Sequence, residues 1–343
     1  MKKSLLALAV LGAFAGAASA QSSVTIYGII DLGIAKQNGG STYMGNTGVG
    51  TQSSTNPLAN VANSGNRWTE GQAYASRLGF RGIEDLGGGM RAAFNIEHRF
   101  LPDTGTAIGQ MWYGRSTVSL QGPFGEVLLG RDYIPAFWVA ISSDPFAYNG
   151  IGAMNQYFSM PLYAAADGNI RNNNSVIYKT PVIAGGLTAQ ADVSLGEGAR
   201  GQYGRSMGAN VEYRSGPIYA GLAWDQTKNT GAGSDPQLIL FGASYNFGFI
   251  QPIIGYARNR TALSGSVKNM NIGFNANVGP VGVVHFNAIR LDPPGGNNNT
   301  TKFALGYEHY LSKRTSLYAD VATAKNQALT RSTGFDLGVT HRF

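Results

Sequence analysis

A chain of 343 residues with 48 glycines, no cysteine and only 13% charged residues is not composed like a helix-rich soluble enzyme, for which about 25% charged residues and about 7% glycine are usual. The missing thiols exclude disulfides, cysteine-ligated metals and cysteine nucleophiles. The net charge of +7 is too diffuse to suggest nucleic-acid binding, since along the strands Lys and Arg occur singly and form no phosphate-binding cluster.

Residues 1–20 read as a cleavable export signal. Lys2 and Lys3 precede an apolar stretch from Leu5 to Ala18, and Ala18-Ser19-Ala20 supplies a small-x-small cleavage site that leaves Gln21 first. The apolar stretch is too short for a membrane-spanning helix, which takes about 20 residues. Residues 21–343 are then expected to form one unit.

From there on, side chains alternate with the two-residue period of an extended strand. Val24, Ile26, Ile30, Leu32 and Ile34 oppose Thr25, Tyr27 and Asp31, while Ala92, Phe94 and Ile96 oppose Arg91, Asn95, Glu97 and Arg99. Val118 and Leu120 oppose Arg115, Thr117 and Ser119. The pattern returns in residues 187–195, 271–278 and 302–311, and ends in Phe335, Leu337, Val339 and Phe343 opposite Asp336, Gly338, Thr340 and Arg342. Short turns such as Gly122-Pro123-Phe124-Gly125, Ser215-Gly216-Pro217 and Gly279-Pro280 alternate with longer polar loops, including residues 37–73, 196–206, 227–236 and 293–301.

One-sided asymmetry of that kind fits a transmembrane antiparallel β-barrel with short periplasmic turns and long external loops, here of about 16 strands. A secreted β-sandwich would not require the alternation of short and long connections, and no fixed-period repeat supports a β-helix. Residues 132–169 depart from the pattern and carry Tyr133, Phe137, Trp138, Phe146 and Tyr148. An exposed loop of that composition would be an adhesive patch, so it is expected to fold inward against the barrel wall.

Several segments together resemble the Gram-negative trimeric porin family, in particular the porins of β-proteobacteria. They are residues 22–31 (SSVTIYGIID), 76–90 (SRLGFRGIEDLGGGM), 115–120 (RSTVSL), 124–132 (FGEVLLGRD), 245–248 (YNFG), 311–315 (LSKRT) and the terminal Phe343. The resemblance implies a homotrimer in the outer membrane, a third external loop folded in as a constriction, and passive diffusion of small hydrophilic solutes and ions. It also implies that Phe343 helps the barrel-assembly machinery recognise the chain, and that the barrel meets lipid and lipopolysaccharide.

Fixed charges at a narrow, low-dielectric waist focus the field on a passing solute. By the family pattern, Arg77 in Ser-Arg-Leu-Gly-Phe is a wall arginine, and parity sets Arg77 and Arg81 opposite Leu78 and Phe80. Arg115 has inward parity, and Arg171 shares parity with Ser175 and Lys179. Arg131 shares parity with the apolar Val127 and Leu129, so an inward placement needs a bulge or the end of the strand. Some relatives have a second basic residue where this chain has Gly114, which would thin the cluster. Asp132, Asp144 and Asp167 are the candidate acidic partners; Asp144 is preferred for the loop, although an Asp-Pro pair also forms turns.

With wall arginines outnumbering loop acids, a mild anion preference is expected. A substrate-specific channel for organic acids or phosphate is the alternative, and a barrel enzyme or adhesin a more distant one. The histidines are scattered and no HExxH, G-x-S-x-G or P-loop pattern occurs, so neither an enzyme nor a cofactor or metal site is expected.

Overall fold

The computed structural model describes residues 23–38, 40, 42, 68–71, 73–154, 170–195, 205–228, 235–261, 265–295 and 298–343. The expected export signal, its expected cleavage site at Ala20 and Gln21, and Asp167 lie outside these residues.

The strands are β1 Ser23–Gln37, β2 Trp68–Gly71, β3 Arg77–Gly87, β4 Met90–Leu101, β5 Thr106–Ala107, β6 Arg115–Gly122, β7 Gly125–Tyr133, β8 Arg171–Lys179 and β9 Leu187–Ser194. They continue with β10 Ser206–Ser215, β11 Ile218–Thr227, β12 Gln237–Tyr245, β13 Ile250–Thr261, β14 Gly265–Val278, β15 Gly282–Asp292, β16 Thr300–Tyr310, β17 Thr315–Asn326 and β18 Ser332–Arg342. Sixteen of them make a closed antiparallel barrel. The other two are short: β5 folds back on the end of β4, and β2 extends the line of β3 along β1. Between β2 and β3 the chain leaves the ladder and binds Asp31 instead, through Ala73 N–H at 2.6 Å. Ser76 Oγ accepts from Asp31 N–H at 3.0 Å.

Burial runs opposite to that of a soluble protein. Met270 and Ile272 on β14 are exposed while Asn269 and Asn271 are buried; on β16, Phe303 and Leu305 are exposed while Lys302 and Glu308 are buried. The apolar face points outward to lipid and the polar face inward, as the two-residue period predicted. External connections are not uniformly long: residues 262–264 and 327–331 join long strands by short links.

The last strand closes the ring. β18 pairs with β1 from Ile29–Arg342 to Gln37–Gly334. Gly28 and Phe343 then exchange both backbone hydrogen bonds, at 3.0 and 3.1 Å. A Cβ on Gly28 would stand 2.5 Å from Phe343 Cζ and 2.5 Å from the Arg77 carbonyl oxygen. Gly28→Val is therefore expected to lower barrel stability by about 1–3 kcal/mol, the usual cost of overpacking. The check is the temperature at which the folded band shifts on a detergent gel; an unchanged temperature would refute the close fit.

The loop between β7 and β8 enters the barrel. Its first part is helix α1, Pro135–Ser142, which sequence periodicity had not announced. Pro135 sits in the first turn, where its missing N–H costs nothing. A helix apolar on every side must be covered, and here Ala136, Phe137, Val139 and Ala140 pack on Ala223, Leu238, Leu240, Ala257 and Ile289 of the inner wall. Further along the loop, Phe146, Ile151 and Ala153 cluster with Ala304, Ala322 and Ala324.

Candidate functional site on the inner wall

Cross-strand register brings a set of charges together on β3, β4 and β6. Arg77 lies opposite Arg99, and Glu97 lies opposite both Gly79 and Arg115. Like charges directly opposite on one face repel, and Glu97 lies between them: its carboxylate is 2.7 Å from Arg99 Nη2 and 3.9 Å from Arg77 Nη1. Arg77 Nε and Arg99 Nη1 also donate to the Ala75 carbonyl, at 3.1 and 3.2 Å. The Tyr27 hydroxyl shares its proton between Asn95 Oδ1 at 2.8 Å and Glu97 Oε2 at 3.1 Å.

Arg115 grips Asp132 with two parallel bonds, Nε to Oδ1 at 2.8 Å and Nη2 to Oδ2 at 2.6 Å. Such forks are strong and fix orientation. Arg171, the first residue of β8, donates from Nη2 to the Tyr133 hydroxyl at 2.5 Å, and Arg99 donates to the same oxygen at 2.8 Å. The patch thus holds Arg77, Arg99, Arg115 and Arg171 against the carboxylates Glu97 and Asp132.

Arg131 is placed differently. The bulge at this point lies on the facing strand: β8 takes three steps from Asn172 to Ser175 while β7 takes two from Asp132 to Gly130. Asn174 absorbs it with a φ of 49°. Arg131 therefore keeps the parity of Val127 and Leu129, and its guanidinium bonds the Tyr113 carbonyl at 2.8 Å and Asn173 Oδ1 at 2.7 Å. The Tyr113 ring links it to the cluster, lying 4.8 Å from Arg131 and 5.9 Å from Arg171.

Asp144 faces Asn287 of β15 and bonds none of the arginines. Its carboxylate accepts from the backbone N–H of Phe146, Tyr148 and Met154 and from Asn287 Nδ2, at 2.9–3.1 Å. It holds a turn in which Ala147 and Tyr148 both take positive φ, a conformation non-glycine residues adopt at a cost. Burial pushes this carboxyl up to about 6, against the pull of three backbone donors. A barrel acid also holds the loop: Asp336 Oδ2 accepts from Ile151 N–H at 3.1 Å. The buried Lys302 donates to the Ala153 carbonyl at 2.8 Å.

Residues 7–329 match the Gram-negative porin family. The chain is 37% identical to outer membrane porin protein 32 of Delftia acidovorans and 30% identical to an outer membrane porin protein of Bordetella pertussis, each over the whole of both chains. An anion-selective porin from Comamonas acidovorans superposes with a TM-score of 0.80 at 33% identity, covering 94% of this chain and all of that one. The chain belongs to the Gram-negative porin family. Its family and fold are those of an outer-membrane channel, not of an enzyme.

Within this porin, Gly114 has a physical reason. A Cβ there would overlap Glu97 Oε1 and come within 3.0 Å of Arg99 Nε, so the site is already filled. Arg99 supplies from β4 the second charge that the neighbour of Arg115 lacks. Its inward parity with Glu97 was visible in the sequence, but the contact with Arg77 needs the β3–β4 register. Tyr27 had polar parity and Tyr133 lay in the segment expected to fold inward, but neither was singled out as a partner of the charges. On the periplasmic side the wall opens into a recess of about 250 Å³ lined by Thr25, Arg81, Arg115, Thr117, Glu126 and Lys179. Lys179 is paired with Glu126 at 3.3 Å. Arg81 stacks on Tyr27 at 5.3 Å and has no ion-pair partner among the described residues.

Proposed function

We propose that this porin is a general-diffusion channel with a mild anion preference, whose selectivity is set by Arg77, Arg115 and Arg171 with Arg99 behind them. The observation that carries the reading is the excess of guanidiniums over carboxylates on one inner patch: Arg77 and Arg115 each keep 22% of their side chains exposed, whereas Glu97 and Asp132 keep 3% and 1%. In a confined lumen the exposed charges dominate the potential felt by an ion. Arg131 and Asp144 act at one remove, Arg131 by bracing Tyr113 and Asp144 by holding the loop turn.

Reversal potentials in a salt gradient across a planar bilayer test this. Wild type should favour anions; Arg77→Ala should lower the anion-to-cation permeability ratio by about two-fold and Glu97→Gln should raise it by a similar factor. Cation preference in wild type would sink the reading. The recess around Arg81 favours a second reading, a channel that retains organic acids or phosphate; block of single-channel current by such a solute at low concentration would select it.

The reading includes assembly as a homotrimer, cleavage between Ala20 and Gln21, and use of Phe343 by the barrel-assembly machinery. It also includes contact of the outer face with lipid and lipopolysaccharide. The paired backbone of Phe343 supports its part in barrel closure, and the outward apolar face supports the contact with lipid.

A further inference from the structure

Tyr133 stands where β7 ends and the chain turns inward to α1. Its ring lies parallel to Phe137 of α1 at 4.0 Å, and Trp138 meets it edge-on at 5.5 Å. The Arg171 guanidinium lies 4.1 Å from the ring centroid. Its hydroxyl oxygen accepts from Arg99 of β4 and from Arg171 of β8. One side chain therefore has its ring on the root of the inward loop and its oxygen between two like charges.

That oxygen has two lone pairs, and both are used by guanidinium donors. A neutral hydroxyl cannot cancel the repulsion between the two cations; it fixes where each stops. Arg99 keeps Glu97 at 2.7 Å as a second hold. Arg171, which is 8% exposed, is held on Tyr133 both by the hydroxyl and by the face of the ring.

We propose that Tyr133 is the positioning residue that sets the separation of Arg99 and Arg171 and couples it to the seat of the inward loop. The inference rests on the wall's role in selectivity. Tyr133→Phe preserves the stack on Phe137 and removes only the acceptor. Arg171 then turns further into the lumen, so the anion-to-cation permeability ratio rises by about two-fold and open-channel conductance in concentrated salt falls.

The test is a double-mutant cycle with Arg171→Gln, read by reversal potential and by open-channel conductance. Coupling predicts that Tyr133→Phe loses most of its effect on both readouts once residue 171 is uncharged. A residue that merely stabilises the fold would lower the melting temperature and leave the reversal potential unmoved. Where Arg77→Ala shifts selectivity, an unchanged reversal potential in Tyr133→Phe, or equal shifts in the two backgrounds, overturns the proposal. Arg77→Ala, which leaves both guanidinium bonds to the Tyr133 hydroxyl in place, reports separately on whether the wall sets selectivity. If Arg77→Ala has no effect, the conductance arm of the cycle still decides whether Tyr133 positions Arg171.

Discussion

Arg115→Gln is expected to destabilise the folded porin by about 3–5 kcal/mol, the cost of leaving a buried charge without its partner, and to move the reversal potential toward cations. Asp132 is 1% exposed and receives both arms of the Arg115 fork, with a further bond from the Tyr133 N–H at 2.8 Å. Removing the guanidinium subtracts one exposed positive charge and uncovers one buried negative charge at the same place. Arg77→Ala should behave otherwise, because Glu97 keeps Arg99 at 2.7 Å when Arg77 is gone. The two variants should therefore separate: both shift selectivity, and only Arg115→Gln melts well below wild type. Arg115→Lys should recover the sign of the charge without the fork, and so restore most of the reversal potential but less of the stability. Thermal unfolding in detergent and a salt-gradient bilayer measure the two effects. A wild-type melting temperature for Arg115→Gln would show that Asp132 is satisfied without it.

The barrel was readable because its strands each carry one physical instruction repeated many times. On β14, β16 and β18 the lipid-facing residues and the lumen-facing residues alternate along most of each strand, and the burial follows them. Arg77 and Arg115 inherit their inward direction from that same alternation. Where a strand is irregular, the pattern loses its force. The bulge beside Gly130 was foreseen as a condition for Arg131, yet it lies on β8, and no reading of β7 alone could place it there. Helix α1 had no polar face to generate a period, since it is covered by its own barrel. Asp144 beside Pro145 was equally legible as a turn former, and four donors hold its carboxylate in the loop turn. Arg99 and Tyr133 depend on register and on the path of the inward loop, which are long-range properties.

The path of that loop is itself cut into the wall by three glycines, and filling the cut is expected to change conduction more than any single charge. Gly221, Gly242 and Gly255 are direct register partners across β11, β12 and β13, so they form one groove across the inner face. A Cβ on Gly221 would come 3.0 Å from Val139 Cγ1, one on Gly255 would come 3.2 Å from Ser143 Cβ, and one on Gly242 would overlap Ser143 Oγ. Ser143 cannot easily yield, because its hydroxyl is bonded to the Val139 carbonyl at 2.6 Å. Gly242→Leu should therefore lift the end of α1 off the wall and into the lumen, at a cost of about 1–3 kcal/mol for overpacking. The backbone ladder of β12 does not involve the added side chain, so the barrel still closes. Single-channel conductance should fall sharply while the heat-resistant folded band persists. Gly242→Ala meets Ser143 Oγ first, and combining it with Ser143→Ala should recover part of the lost conductance. Full wild-type conductance in Gly242→Leu would mean that α1 is not seated in the groove when the channel is open.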